Sequence, residues 1–181
     1  MWLKSVVLVC VYALVICTSG RGEGPGGYHS IVTGEVKVVI SGDSIFVRPA
    51  STAFKETPRL SAEVMRWMSS RGANAIKLEV TGVLIDEGAL SGLSKMRGLS
   101  EVVFSNTDFD DEDLLHVAEL PNVKNLVLHR TSLTSNSREV ILVMKSLDRV
   151  AIGNSPFLPF DTAEWWSSQG AKFECVLPLV E

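Results

Sequence analysis

Cysteine is scarce in this chain. Of 181 residues only three are cysteine, and Cys10 and Cys17 fall in the first seventeen positions, leaving Cys175 alone in the rest. One thiol closes no loop, so a disulfide scaffold is excluded. Basic blocks are missing as well. Seventeen Lys and Arg are scattered against 21 Asp and Glu for a formal charge of −4, whereas nucleic-acid binding leaves a clustered basic footprint. No nucleic-acid partner is therefore expected. With 46% hydrophobic and 21% charged residues, the chain is also too apolar to stay unfolded.

The signatures of catalysis and cofactor binding are missing too. The glycines of residues 20–30, GRGEGPGGYHS, have no strand before them and no Lys-Ser or Lys-Thr after them. A phosphate cradle needs both, so this stretch reads as a tether. His29, His116 and His129 fall in the tether, on a predicted helix and at a strand end, which is no metal-ligand spacing. Asp108-x-Asp110-Asp111-Glu112-Asp113 reaches Glu119 at the twelfth place of a calcium loop but has Asp113 at the sixth, where the loop requires Gly,. Helix capping explains these acids instead. No G-x-S-x-G occurs, and Ser105 and His129 share a column that contains no carboxylate,. No enzyme activity, cofactor or metal is expected.

The N-terminus reads as an address. Met1-Trp2-Leu3-Lys4 gives a short positive start, and Val6 to Ile16 is an apolar run without charge, Gly or Pro. That is the size and flank of a signal-peptide core. A spanning helix needs about 20 apolar residues, so cleavage near Ser19-Gly20 is the first reading. Retention as a membrane tether through residues 1–20, or lipidation at Cys17, are the alternatives. Either way the protein is expected to be exported, whether periplasmic, extracellular or membrane-anchored.

What the chain does contain is a repeat. Shifted by 24 residues it aligns with itself over Ala75-x-x-Leu78-x-Val80, Leu99-x-x-Val102-x-Phe104, Val123-x-x-Leu126-x-Leu128 and Leu147-x-x-Val150-x-Ile152,. The register continues beyond these strands. Val83, Thr107, Thr131 and Ser155 hold the ninth place, and Ile85, Phe109, Leu133 and Phe157 the eleventh. Leu93, Val117, Ile141 and Trp165 hold the nineteenth, and Met96, Leu120 and Met144 the twenty-second. Each unit predicts a short strand, a turn and a helix of about ten residues whose sixteenth, nineteenth and twentieth places face inward. Asp86, Asp110 and Thr134 stand where an N-cap is needed, and Asp111, Glu112 and Asp113 place negative charge against the positive helix end.

The strand L-x-x-L-x-L followed by Thr and a short helix resembles a leucine-rich repeat of the bacterial type, in which Thr replaces the family's Asn. Phe104 to Val123 and Leu126 to Thr134 carry the resemblance best; Val83, Arg138, Pro156 and Pro159 depart from it. It implies an α/β fold, a right-handed solenoid with a parallel sheet on one face and short helices on the other. The Thr/Ser column would then satisfy backbone groups in the turns. Arg66 to Ala73 echoes Glu164 to Ala171, each a helix stopped by Gly, as the capping units of a solenoid would be. Val36 to Ile40 and Ile45 to Val47 flank Gly42-Asp43 and predict a β-hairpin,. The expected organisation is a leader or anchor over 1–20, a flexible Gly-rich spacer over 21–34, an N-terminal cap of hairpin and helix over 35–74, repeats over 75–160 and a C-terminal cap over 161–181.

The outward strand places form three columns. They read Lys77, Glu101, Asn125, Arg149; then Glu79, Val103, Val127, Ala151; then Thr81, Ser105, His129, Gly153. An apolar middle with polar margins has the composition of an interaction patch. The expectation is a non-catalytic domain that binds a protein or peptide through the concave sheet, using Lys77, Glu79, Glu101, Val103, Ser105, Asn125, Val127, His129 and Arg149. The alternative is a membrane-tethered or self-associating envelope component, to which Trp166 would contribute a docking group.

Overall fold

A computed structural model describes residues 28–33, 35–53, 56–153 and 173–175. The expected leader, the helix of the C-terminal cap, Trp165 and Trp166, and Pro156 and Pro159 lie outside the described residues.

The architecture is mixed α/β. Strands β1 (Tyr28–Thr33), β2 (Val36–Ser41) and β3 (Ser44–Pro49) form an antiparallel meander. Then come β4 (Arg59–Leu60), helix α1 (Ala62–Arg71), β5 (Lys77–Thr81), β6 (Leu84–Ile85) and a 3₁₀ helix (Ala89–Lys95). The chain continues through β7 (Glu101–Ser105), α2 (Asp111–Ala118), β8 (Asn125–His129), α3 (Ser137–Val143), β9 (Arg149–Gly153) and β10 (Phe173–Cys175). Among the described residues eight strands make one sheet in the order β1-β2-β3-β5-β7-β8-β9-β10, parallel from β3 onward. The short strands β4 and β6 pair separately.

Register follows the sequence period. Lys77 pairs with Glu101, Glu101 with Asn125 and Asn125 with Arg149, each partner 24 residues on. One loop carbonyl before each strand bonds two amides of the next: Ile76 O accepts from Ser100 and Glu101, Ser100 O from Lys124 and Asn125, and Lys124 O from Asp148 and Arg149. Identical sequence places thus meet identical backbone surroundings.

The core fills the space between sheet and helices. Leu78, Val80, Val102, Phe104, Leu126 and Leu128 point into it, together with Ile85 from β6 and Phe109 and Leu133 from the turns. Leu93, Val117 and Ile141, then Met96, Leu120 and Met144, close it from the helical side. Each such side chain contributes roughly 1.5–3 kcal/mol by leaving water. The rings of Phe104 and Phe109 stack with centroids 4.1 Å apart. Thr107 is buried, and its hydroxyl accepts from the Phe109 amide at 3.4 Å, the backbone role expected of that column.

The helical layer differs from expectation in three respects. The helices are short, seven or eight residues after α1, and the first is 3₁₀. Leu90 and Leu114 with the nineteenth and twenty-second places recur every three residues, a spacing that suits three residues per turn. The twentieth place therefore turns outward: Ser94 is exposed, Ala118 half-buried and Leu142 47% exposed. Of the three expected N-caps only Asp110 serves. It accepts from the amides of Glu112 and Asp113 while the Asp113 carboxylate accepts from the Asp110 amide, a complete capping box,. Asp86 instead pairs with Arg59 at 2.6 Å, and Thr134 precedes the N-cap Asn136, whose amide its hydroxyl receives.

At the N-terminal end the hairpin forms as expected and extends the sheet, Ser44 pairing with Lys77. Ser61 caps α1, and the Gly72 amide closes it on the Met68 carbonyl. A Cβ at Gly72 would run into the Ile45 Cδ1 methyl and lie 3.1 Å from the Met68 carbonyl oxygen, so the bare position lets the hairpin seat closely on the helix end. The segment assigned to a flexible spacer needs correction. Residues 28–33 are strand β1, paired along their whole length with β2, and Ile31 is buried. Ile31, Val32 and Thr33 are β-favouring; the glycines just before them masked that signal.

Candidate functional site

The sheet face opposite the helices brings the outward columns together. On β5, β7, β8 and β9 the alternation of side chains sends Leu78-type residues to the core and their neighbours outward. The rows are Lys77, Glu101, Asn125, Arg149; Glu79, Val103, Val127, Ala151; and Thr81, Ser105, His129, Gly153, each aligned across the strands by backbone pairing. Neighbouring members of a row are about 4.8 Å apart. All nine residues expected at the site lie on this surface, half-buried except for the exposed Arg149.

One end of the face is charged. Lys77 Nζ lies 2.8 Å from a Glu101 oxygen and 3.4 Å from one of Glu79, and each of the three side chains keeps about a third of its surface in water. The Glu101 hydrogen bond, with help from Glu79, raises the Lys77 pKa against a partial opposition from desolvation. Two carboxylates thus share one ammonium, leaving the cluster with one unit of negative charge. Beside it Val103 and Val127 form the apolar row, and beyond them Ser105 Oγ sits 3.5 Å from His129 Nδ1.

The apolar row is shorter than the sequence suggests. Ala151 is only 3% exposed and Gly153 is buried. A methyl group between two paired strands reaches less far than an isopropyl group, so the accessible row is Val103 and Val127, bordered by Glu79.

A second feature lies at the start of α2, where sequence reasoning saw only capping. An open depression of about 520 Å³ is lined by Asp110, Asp111, Glu112, Ser132, Thr134 and Asn136. Asp111 from this lining, and Asp108 just outside it, also tie neighbouring segments together. Asp111 accepts from the Thr134 amide at 3.0 Å and from the Thr134 hydroxyl, while Asp108 accepts from the Ile85 amide at 2.6 Å. Both ties span 23 residues, one short of the repeat; that offset was the available signal. Asp113, half-buried, has its pKa raised to about 6 by burial and then by Asp110, with Asp108 and Glu112 adding to the effect against the backbone hydrogen bond.

Among the described residues no group of three or more His, Cys, Asp and Glu is placed to hold a metal ion. Among them, too, no helix is long and apolar enough to cross a membrane. No protein-family model and no curated protein matches the chain.

Proposed function

We propose that the chain is a right-handed leucine-rich-repeat solenoid, exported and without catalytic activity, that binds a protein or peptide through the sheet face opposite its helices. The observation that carries this reading is the in-register surface of Val103 and Val127 between a charged margin and a polar one. Parallel strands joined through helical segments at a constant 24-residue offset support the solenoid, since such crossovers are right-handed in nearly all proteins. The sheet holds its side chains in place before contact, which limits the ordering cost of association. The apolar run of residues 6–16 is the ground for export,.

The test compares the full chain with a Val103→Glu/Val127→Glu variant in affinity capture from the native extract. Both valines face away from the core, so circular dichroism should report an unchanged fold. Partners retained by the wild type and lost by the folded variant are the expected result. The same partners on both would overturn the assignment of this face.

A further inference from the structure

The binding face has a sign and a spacing, and together they specify what fits it. Its charged end holds two carboxylates against one ammonium, with Glu79 and Glu101 both still open to water. Lys77 is already engaged by both acids, so it offers little to an incoming anion. Arg149 stands two strands beyond Glu101, about 10 Å away at ordinary strand spacing,, and at that distance salt screens most of its influence. Arg48, exposed on β3 two residues beyond Phe46, the partner of Glu79, is the nearer cation of this face, and it lies past Glu79 on the side away from Glu101. On the Glu101 side the acids outnumber the cations, and a cation is the ligand group that fits there.

The apolar partner is set by geometry. Val103 follows Glu101 by two residues on β7, so their side chains emerge on the same side about 6.8 Å apart,. Glu79 and Val127 flank Val103 on the adjoining strands. An extended peptide places its own residues i and i+2 on one side at the same spacing. We propose that this face takes an extended peptide segment carrying Arg or Lys two residues from a β-branched or other aliphatic side chain, the cation over Glu79 and Glu101 and the aliphatic group over Val103 and Val127. The inference rests on reading the face as a binding surface, and adds its charge and register.

The test is titration of the ¹⁵N-labelled full chain with four acetylated, amidated peptides followed by amide shifts. The probes are Gly-Arg-Ser-Val-Gly, its Gln and Glu replacements at the Arg position, and Gly-Arg-Val-Ser-Gly, in which the two groups point to opposite sides. The first should shift the amides of Glu79, Glu101, Val103 and Val127 and bind more tightly than the other three, by up to about fivefold over the Gln peptide, since one solvent-exposed charge pair is worth up to about 1 kcal/mol. Glu101→Gln should erase the preference over the Gln peptide. Equal binding of all four overturns the charge and register while leaving the face as a binding surface. Silence at these amides with every probe overturns the proposal. If the Val103→Glu/Val127→Glu variant also retains every captured partner, the underlying reading fails with it.

Discussion

Asp113→Asn should stabilise the protein at neutral pH and leave it unchanged in acid. Asp113 lies in the first turn of α2 among Asp108, Asp110 and Glu112, and its pKa rises from 3.8 to about 6. In the unfolded chain the carboxyl has its ordinary value. Between about pH 4 and pH 6 the native state therefore binds a proton that the unfolded state does not, so stability is highest below this window and is lost as the pH rises through it. The full difference corresponds to about 3 kcal/mol. More than a third of the group is exposed, and solvent screening reduces this to about 1 to 1.5 kcal/mol.

Two effects work against the gain. A negative charge in the first turn is favoured by the helix dipole by about 0.3 to 1 kcal/mol, and the carboxylate completes the capping box. The Asn amide oxygen keeps the second but not the first. The net expectation is a gain of about 0.5 to 1 kcal/mol at pH 7.5 and none near pH 4, read from urea unfolding midpoints of both proteins. A variant that is neutral or weaker at pH 7.5 would show that dipole and cap outweigh desolvation and like-charge repulsion, and the reasoning would fall.

Phe109→Ala removes a fully buried ring stacked on Phe104 and should cost about 3 to 5 kcal/mol in chemical denaturation. Gly82, Asn106 and Arg130 occupy the same place in successive repeats, and all have positive φ, at 68°, 54° and 51°. Arg130→Gly should accordingly raise stability by about 0.5 to 1 kcal/mol and Gly82→Ala lower it by about 1 kcal/mol, since the left-handed conformation is costly for a residue with a Cβ; thermal unfolding followed by circular dichroism reads both. Glu101→Gln should change the unfolding midpoint by less than the equivalent of about 1 kcal/mol, because the pair it breaks is solvent-exposed,. A larger loss would make the cluster a structural tie.

The columns at the fourth, sixth, eleventh, nineteenth and twenty-second places were legible because one period puts the same place in the same packing environment each time. Phe109, Leu133 and Val117 were therefore readable as core without knowledge of their neighbours. The local choice of helix type was not. Whether residues 89–95 wind as α or 3₁₀ depends on how a short segment must present Leu90, Leu93 and Met96, and helix spacing alone does not decide it,. The left-handed column stayed hidden because Gly, Asn and Arg share no side-chain property; what they share is a backbone amide bonded to the strand-end carbonyl of the next repeat, Ser105, His129 and Gly153 in turn. The ties from Asp108 and Asp111 escaped for a related reason. They join different places in adjacent units, so no column contains both partners.

The same distinction separates what folds the chain from what it offers to a partner. Packing requires the inward places to be apolar, with the Thr107 hydroxyl meeting a backbone amide in its turn, and it constrains the outward strand places only through β-propensity. The outward columns are free of the repeat's rule, and their content does vary: Lys, Glu, Asn and Arg in one, Thr, Ser, His and Gly in another. Packing accounts for Leu126 and Leu128. It does not account for two glutamates gathered around Lys77, an arrangement whose exposed ion pairs contribute little to stability,. A charge cluster that the fold does not need, held on a rigid sheet beside two accessible valines, is placed where recognition can use it.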